Sequence, residues 1–357
     1  MSGGTPNPDR PLRVLASPAS MPSDGNPYIN LLYAAVRAQG VTVDDFTRRR
    51  LLDRYDVLHV NWPAALVRWQ RRTAIPDIVK VVALVAVARA RGTKLVWTAH
   101  DIQPHDVDFP RLHRVFFALL RRQVDLVVHL TASAEQLLER RYPDLARTPS
   151  VVVPHGHYRD VYPPAPERAP ARAGLGLPAD ESIALVVGQI RDYKQVPAFV
   201  RAVLASGTPL HVAVAGGVRS PRLRAEIEDL GTGQDRCHLH LESLSPEELS
   251  TWVGAADVLV LPYSQDSALH SGVALLGLSF DRPVVVAPVA PMRDLQATVG
   301  DSWVLVTDGS MQQAVTQAWS AAHRGERAQS PDLSVFDWTR IGESLTTAFR
   351  SVTTHPG

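Results

Sequence analysis

Short apolar runs alternate with stretches of helical periodicity along nearly all of the 357 residues. In the first half, Leu12–Ala16, Val41–Phe46, Asp56–Val60, Lys94–Thr98, Val124–His129 and Ser150–Val153 read as strands. Pro27–Arg37, Ile75–Ala90, Arg111–Arg121 and Ala132–Arg141 read as helices. Asn26 suits the cap of the first helix and Pro27 its first position, where a missing N–H costs nothing. Strand and helix alternating at these lengths predicts parallel βαβ units.

The segment 159–180 breaks the alternation with five prolines among polar and small residues, a linker composition. Strands are then expected at Ile183–Gly188, Leu210–Ala215, His238–Leu241, Val258–Leu261, Val284–Ala287 and Val304–Val306. Helices are expected at Pro197–Ala205, Ser220–Asp229, Pro246–Ala255, Gly272–Phe280 and Met311–His323, with a terminal helix at Trp338–Val352. The predicted fold class is α/β, with two Rossmann-like, doubly wound parallel-sheet domains and a cleft between them. Their expected bounds are 1–160 and 181–335, joined by a Pro-rich hinge over 161–180 and followed by a terminal helix over 336–357. In such sheets, ligands bind beyond the carboxyl ends of the strands, near helix N-termini.

Composition narrows the class. With 45% hydrophobic and 20% charged residues the chain is globular. A single cysteine, Cys237, excludes an internal disulfide framework and a cysteine-built zinc site. Cys237–His238–Leu239–His240 puts only two histidines on one face of a strand, too few for zinc. The longest apolar run, Val79–Ala90, contains Lys80 and Arg89 and falls short of the ~20 residues of a membrane span. Met1–Pro11 lacks the pattern of a signal peptide, so a cytoplasmic location is expected. Residues 1–160 hold 22 Lys and Arg against 15 Asp and Glu, whereas the remainder holds 15 against 21. The basic half suits an anionic lipid surface or a phosphorylated acceptor, or simply presents solvated helix faces.

The candidate chemistry lies after strands. In Gly188–Lys194 (GQIRDYK), Gly188 permits a close turn, Arg191 offers a planar fork and Lys194 a point charge, together suited to a diphosphate. Gly216 ends the next strand and admits close approach by a ligand or by neighbouring backbone. In the loop from Tyr263 to Gly272, Asp266 and Ser271 are polar candidates, and Ser271 also suits a helix cap. In the first half, His100 ends a strand as a candidate base or sugar-binding group, with Asp101 and His105 beside it. Asn61 and Trp62 end another strand and His155 a third, all candidates for an acceptor site. No Walker loop, Gly-x-Ser-x-Gly elbow or Gly-x-Gly-x-x-Gly fingerprint occurs.

The combination of GQIRDYKQV, DVLVLPY, SGVALLGLSFDRPVVV and FDWTRIGESLTTAF resembles the GT-B glycosyltransferases of family 4 type. HVNWP, WTAHDIQPHD and PHGHYRDVY are similar to a bacterial branch linked to exopolysaccharide and glycoconjugate synthesis. The resemblance runs from about residue 12 to 352. It implies a nucleotide-sugar donor, most simply a UDP- or GDP-sugar, on the second domain, where Arg191 and Lys194 meet the leaving diphosphate. It implies a glycan or lipid-linked acceptor on the first domain with His100 near the sugar, a terminal helix crossing back to that domain, and no metal or further cofactor. Peripheral contact with the inner face of a membrane through the basic half, and no nucleic-acid partner, complete the expectation. The chain departs from the family where two glutamates eight positions apart precede a Gly-x-Pro-Val segment: Ala268 and Leu276 stand there, and Asp281 replaces the glycine. Ser17–Pro18–Ala19–Ser20 replaces the usual Gly-Gly loop of the first strand, so Asp266, Ser271 and Gly272 are the candidates to take over those contacts. Two alternatives within the fold are a sugar-nucleotide epimerase and a non-catalytic nucleotide-sugar-binding protein.

Overall fold

The computed structural model describes residues 11–22, 26–70, 73–102, 109–263, 269–324 and 329–354. In chain order the elements are β1 (Arg13–Ser17), α1 (Tyr28–Ala38), β2 (Thr42–Asp45), β3 (Val57–Val60), α2 (Ala74–Ala90), β4 (Lys94–Ala99), α3 (Pro110–Arg121), β5 (Leu126–His129), α4 (Ala132–Arg141) and β6 (Ser150–Val152). They continue with α5 (Arg168–Leu175), β7 (Ser182–Val187), α6 (Val196–Ala205), β8 (Leu210–Ala215), α7 (Pro221–Gly231), β9 (Cys237–His240), α8 (Pro246–Ala255) and β10 (Val258–Leu261). The last are α9 (Gly272–Ser279), β11 (Val284–Val286), α10 (Ala290–Val299), β12 (Val304–Val306), α11 (Met311–His323) and α12 (Trp338–Thr354). The chain forms two compact units. One runs to Gly156 and resumes at Val335; the other is His157–Ser334.

In the first unit six parallel strands take the order β2-β1-β3-β4-β5-β6. β3 is buried along its whole length, which fixes the level at which Asn61 and Trp62 emerge. The Asn26 side chain accepts the Tyr28 N–H at 3.0 Å, so the predicted cap residue does hold the start of α1. α12 lies against α1, with Ile341, Leu345 and Phe349 joining Tyr33 and Val36 in one core. Gly342 permits that contact, since a Cβ there would stand 2.6 Å from the Ala35 carbonyl oxygen. α2 buries Ile78, Val81 and Val85 and leaves Ile75 and Val79 exposed.

The second unit repeats the plan with six parallel strands in the order β12-β11-β10-β7-β8-β9. All six residues of β7 are buried, and its core packs on α6 and α11. The segment 161–180, read as a hinge from its prolines, contains helix α5 and belongs to this unit. The reason is Arg172, fully buried, whose guanidinium donates to the carbonyls of Ala255 (2.9 Å), Pro178 (3.3 Å), Ala179 (2.7 Å) and Glu181 (2.8 Å) and to the Asp257 carboxylate (2.8 Å). α10 is a second element beyond the sequence reading, begun by Pro291 in its first turn. Asp281 adopts φ +54°, a left-handed conformation that glycine takes freely.

Candidate functional site

In the first unit the ends of β3 and β4 lie side by side, and their parallel register delivers Asn61 and His100 to the same edge. Both are buried. His100 Nε2 donates to Asn61 Oδ1 at 3.1 Å, and Asn61 Nδ2 donates to the Tyr33 hydroxyl at 2.9 Å. With its oxygen accepting there, Tyr33 donates to His59 Nδ1 at 2.8 Å, and His59 Nε2 donates to Thr98 Oγ1 at 2.8 Å. Every donor in this chain points the same way, so one proton arrangement satisfies all five residues. Burial pushes the pKa of His59 down to about 3, so it serves as a neutral link.

Aromatic contacts complete the arrangement. Trp62 stacks on His100 at 4.8 Å between ring centres, and Tyr28 meets His100 edge-on at 5.2 Å. Tyr28 also stacks on His155 at 4.4 Å, and Trp338 of α12 lies 5.8 Å from Tyr28. His155 Nδ1 donates to the Gly156 carbonyl at 2.8 Å. Gly156 has no room for a side chain, because a Cβ would fall 2.2 Å from the Trp338 ring. A narrow cavity of about 60 Å³ opens beside His100, lined by Asn61, Trp62, Trp97, Asp101, Ile102 and Phe117 among others. Four first-half candidates, Asn61, Trp62, His100 and Asp101, therefore line one cavity, with His155 joined to them through Tyr28. His105 lies outside the described residues. Tyr28 itself escaped the sequence reading because it looks like an ordinary apolar position of α1.

The second unit gathers the remaining candidates at the carboxyl end of β7. Gly188 turns the chain with φ +89°. Gly216, with φ +140°, presses against it: a Cβ on Gly216 would lie 2.1 Å from the Gly188 carbonyl oxygen. The close approach that Gly216 allows is thus to neighbouring backbone. Lys194 is buried, and its ammonium sits 5.5 Å over the Tyr263 ring. It also lies 3.9 Å from where a Cβ of Gly188 would be. Among the described residues no carboxylate reaches Lys194. Burial first, and then the Arg191 charge, push its pKa down to about 8. Arg191 donates to Gln189 Oε1 at 2.8 Å. Tyr193 meets Tyr263 edge-on at 5.7 Å. Burial raises the Tyr263 hydroxyl above its ordinary pKa, and its hydrogen bond with Ser271 opposes that shift. The Ser271 hydroxyl accepts the Ala274 N–H at 3.2 Å, capping α9, which Gly272 opens. Asp266 and Ala268 lie outside the described residues, and Leu276 is buried within α9. His238 stacks on His211 with ring nitrogens 3.0 Å apart. Among the described residues no cluster of three His, Cys, Asp or Glu side chains is placed to hold a metal ion.

Two six-stranded parallel sheets, each in its own unit, define a two-unit α/β fold. No family profile matches the sequence. The chain is 30% identical over 342 residues to a GDP-mannose:glycolipid 4-beta-D-mannosyltransferase of Xanthomonas campestris, covering 93% of this chain and 90% of that protein. It is 28% identical over 316 residues to a D-inositol 3-phosphate glycosyltransferase of Mycobacterium avium, covering 83% of this chain and 69% of the relative. Sucrose-phosphate synthase of Thermosynechococcus elongatus shares the fold with a TM-score of 0.65 at 16% identity, covering 96% of this chain and 99% of the other. The Anabaena protein HepE, solved with UDP and glucose, does so with a TM-score of 0.62 at 14% identity, over 95% and 97%. The chain belongs to the GT-B-fold glycosyltransferases, of family 4 type, and is an enzyme that moves a sugar from a nucleotide sugar to an acceptor.

Proposed function

We propose that the enzyme transfers mannose from GDP-mannose to a hydroxyl of a lipid-linked glycan, with the donor on the second unit and the acceptor on the first. The observation that carries the donor assignment is Lys194, a buried ammonium without a carboxylate partner among the described residues, at the carboxyl end of β7. A charged lysine is held out of water at a cost unless an anion meets it. A diphosphate is such an anion, and its charge grows as the glycosidic bond breaks. Lys194 and Arg191 oppose that charge most strongly in the transition state. The Gly188–Gly216 contact shapes the turn that lets the phosphates approach, and Tyr263, Ser271 and Gly272 form the opposite wall.

On the first unit Trp62 offers a flat face to the acceptor sugar, with Asn61, Asp101 and His155 around it. The acceptor oxygen bonds to the anomeric carbon as the bond to the diphosphate breaks, and the hydroxyl proton passes to His100. With Nε2 donating to Asn61, the basic nitrogen of the neutral imidazole is Nδ1. The mannosyl donor and glycolipid acceptor are supported by the relative that matches 93% of the chain, whose name states both. A lipid-linked acceptor agrees with work at a membrane surface through the basic unit; no helix among the described residues is long and apolar enough to cross one.

The test is nucleoside diphosphate release from GDP-mannose, UDP-glucose and dTDP-glucose, with and without a membrane glycolipid extract. Acceptor-dependent release of GDP supports the reading. Release from the other donors alone refutes the mannosyl assignment, and an isomeric nucleotide sugar formed without acceptor indicates an epimerase.

A further inference from the structure

One wall of the cavity beside His100 comes from β4 and α3. Side chains alternate along β4, so Thr98 joins the His59 relay while Trp97 turns toward α3. There Phe117 meets the Trp97 ring edge-on at 5.1 Å. His113, one turn earlier on α3, stacks on Phe117 at 6.3 Å between ring centres. Trp97 and His113 both line the cavity, together with Phe117 and Ile102. They are only 3% and 5% exposed.

Both side chains carry polar groups that the protein leaves unmet. The Trp97 Nε1–H is buried and finds no acceptor among the described residues. Among those residues the His113 ring makes aromatic contacts alone, with Phe117 and with Trp69 at 5.4 Å. Burial pushes His113 below its ordinary pKa, so near pH 7 its imidazole is neutral and carries one donor and one acceptor. A buried donor without an acceptor is costly, and such groups are nearly always satisfied in folded proteins. Asn61, which lines the same cavity, is by contrast engaged by both His100 and Tyr33. The unmet groups thus belong to the wall formed by Trp97 and His113.

We propose that Trp97 and His113 hold the hydroxymethyl arm of the acceptor sugar, and so select a hexose over its 6-deoxy counterpart. The proposal rests on the reading that the first unit takes the acceptor. A hydroxyl both accepts and donates, so one hydroxyl takes the indole N–H and gives its own proton to the basic nitrogen of His113. The methylene of the arm packs on Phe117 and Ile102, the apolar part of the same wall. Size favours the arm over a whole ring. A cavity of about 150 Å³ encloses a benzene, and this one measures about 60 Å³. The sugar ring then lies against Trp62, with its attacking hydroxyl toward His100. Trp97 and His113 touch no reacting atom; they set which sugar is accepted and how it is placed.

The experiment uses the full chain with whichever nucleotide sugar it turns over, and octyl β-D-glucoside and octyl 6-deoxy-β-D-glucoside as acceptors. Wild type should favour the glucoside at least tenfold in kcat/KM, because a site built to bond a hydroxyl rejects the analogue lacking it. This comparison needs no variant. Trp97→Phe and His113→Phe, each verified to fold by circular dichroism, should bring the ratio to within threefold by weakening use of the glucoside, with nucleoside diphosphate affinity unchanged. His113→Gln keeps a donor and an acceptor and should retain part of the preference. Equal use of the two glycosides by the wild type, a preference that survives both phenylalanine substitutions, or transfer to neither glycoside overturns the proposal. Trp62→Ala separates the underlying reading. A glucoside KM indifferent to that change refutes the placement of the acceptor on the first unit. A KM raised by it, with the preference untouched by Trp97→Phe and His113→Phe, refutes the hydroxymethyl contact alone.

Discussion

His100 Nε2 donates a hydrogen bond to Asn61 Oδ1 across 3.1 Å, and that contact fixes which nitrogen of the imidazole carries the proton. The Asn61 amide nitrogen donates to the Tyr33 hydroxyl, which turns the amide oxygen toward His100, and Tyr33 in turn donates to His59. Asn61 thus sets the proton position of the residue proposed to take the acceptor's proton.

Substituting Asn61→Ala leaves His100 without its acceptor, and kcat should fall on the order of 100-fold while GDP affinity stays within twofold. His100→Ala should lose at least as much. Tyr33→Phe removes only the relay hydroxyl and should have a smaller effect, accompanied by a shifted pH–rate profile. Steady-state kinetics with a fixed acceptor, alongside GDP titration, separates these outcomes from general unfolding.

Lys194 makes the activity pH-dependent in a defined direction. Its pKa in the free enzyme is about 8, against 10.5 for the unperturbed side chain. In the proposed donor site the charged form binds the diphosphate, so kcat/KM for the donor should fall as pH rises above about 8. Donor binding between pH 8 and 10 should take up a proton, measurable as a dependence of binding heat on the buffer. The effect on stability has the opposite sense. A lysine with a lowered folded pKa is most destabilising below about pH 8, and that penalty disappears as pH rises towards 10.5. Lys194→Met should therefore raise the Tm of the unliganded protein at pH 7, by ~1–2 kcal/mol in stability.

Arg172 tests the placement of α5. Arg172→Ala removes the donor to four carbonyl groups and leaves Asp257 with only Arg168 and the Ile183 N–H, so unfolding free energy should drop by about 2–4 kcal/mol in a denaturant titration. A change below 1 kcal/mol would mean that 161–180 behaves as the linker its composition suggests.

The fold was readable because each apolar run and each helical stretch carried its own period, and β7 and β8 begin and end close to where their sequences suggest. Lys194 stood out as a candidate because a cation just past a strand end is visible locally, whereas its burial is not. Tyr28 was not: its value comes from touching His100 and His155, far away in sequence, and no local pattern records that. α5 was hidden by Pro and Ala, because its anchor, Arg172, depends on Asp257 at 85 positions' distance. The pairing of Arg121 with Asp144, and the sharing of Tyr142 by two arginines, likewise exist only once α3 and α4 stand together.

Calorimetric binding of GDP at pH 7 to the wild-type protein and to Lys194→Met tests the donor assignment most directly. Wild type should bind GDP more tightly than UDP. The variant should lose at least 30-fold in affinity, roughly 2 kcal/mol, with its fold intact. GDP bound equally well by both proteins, or by neither, would contradict the assignment of the donor to the end of β7.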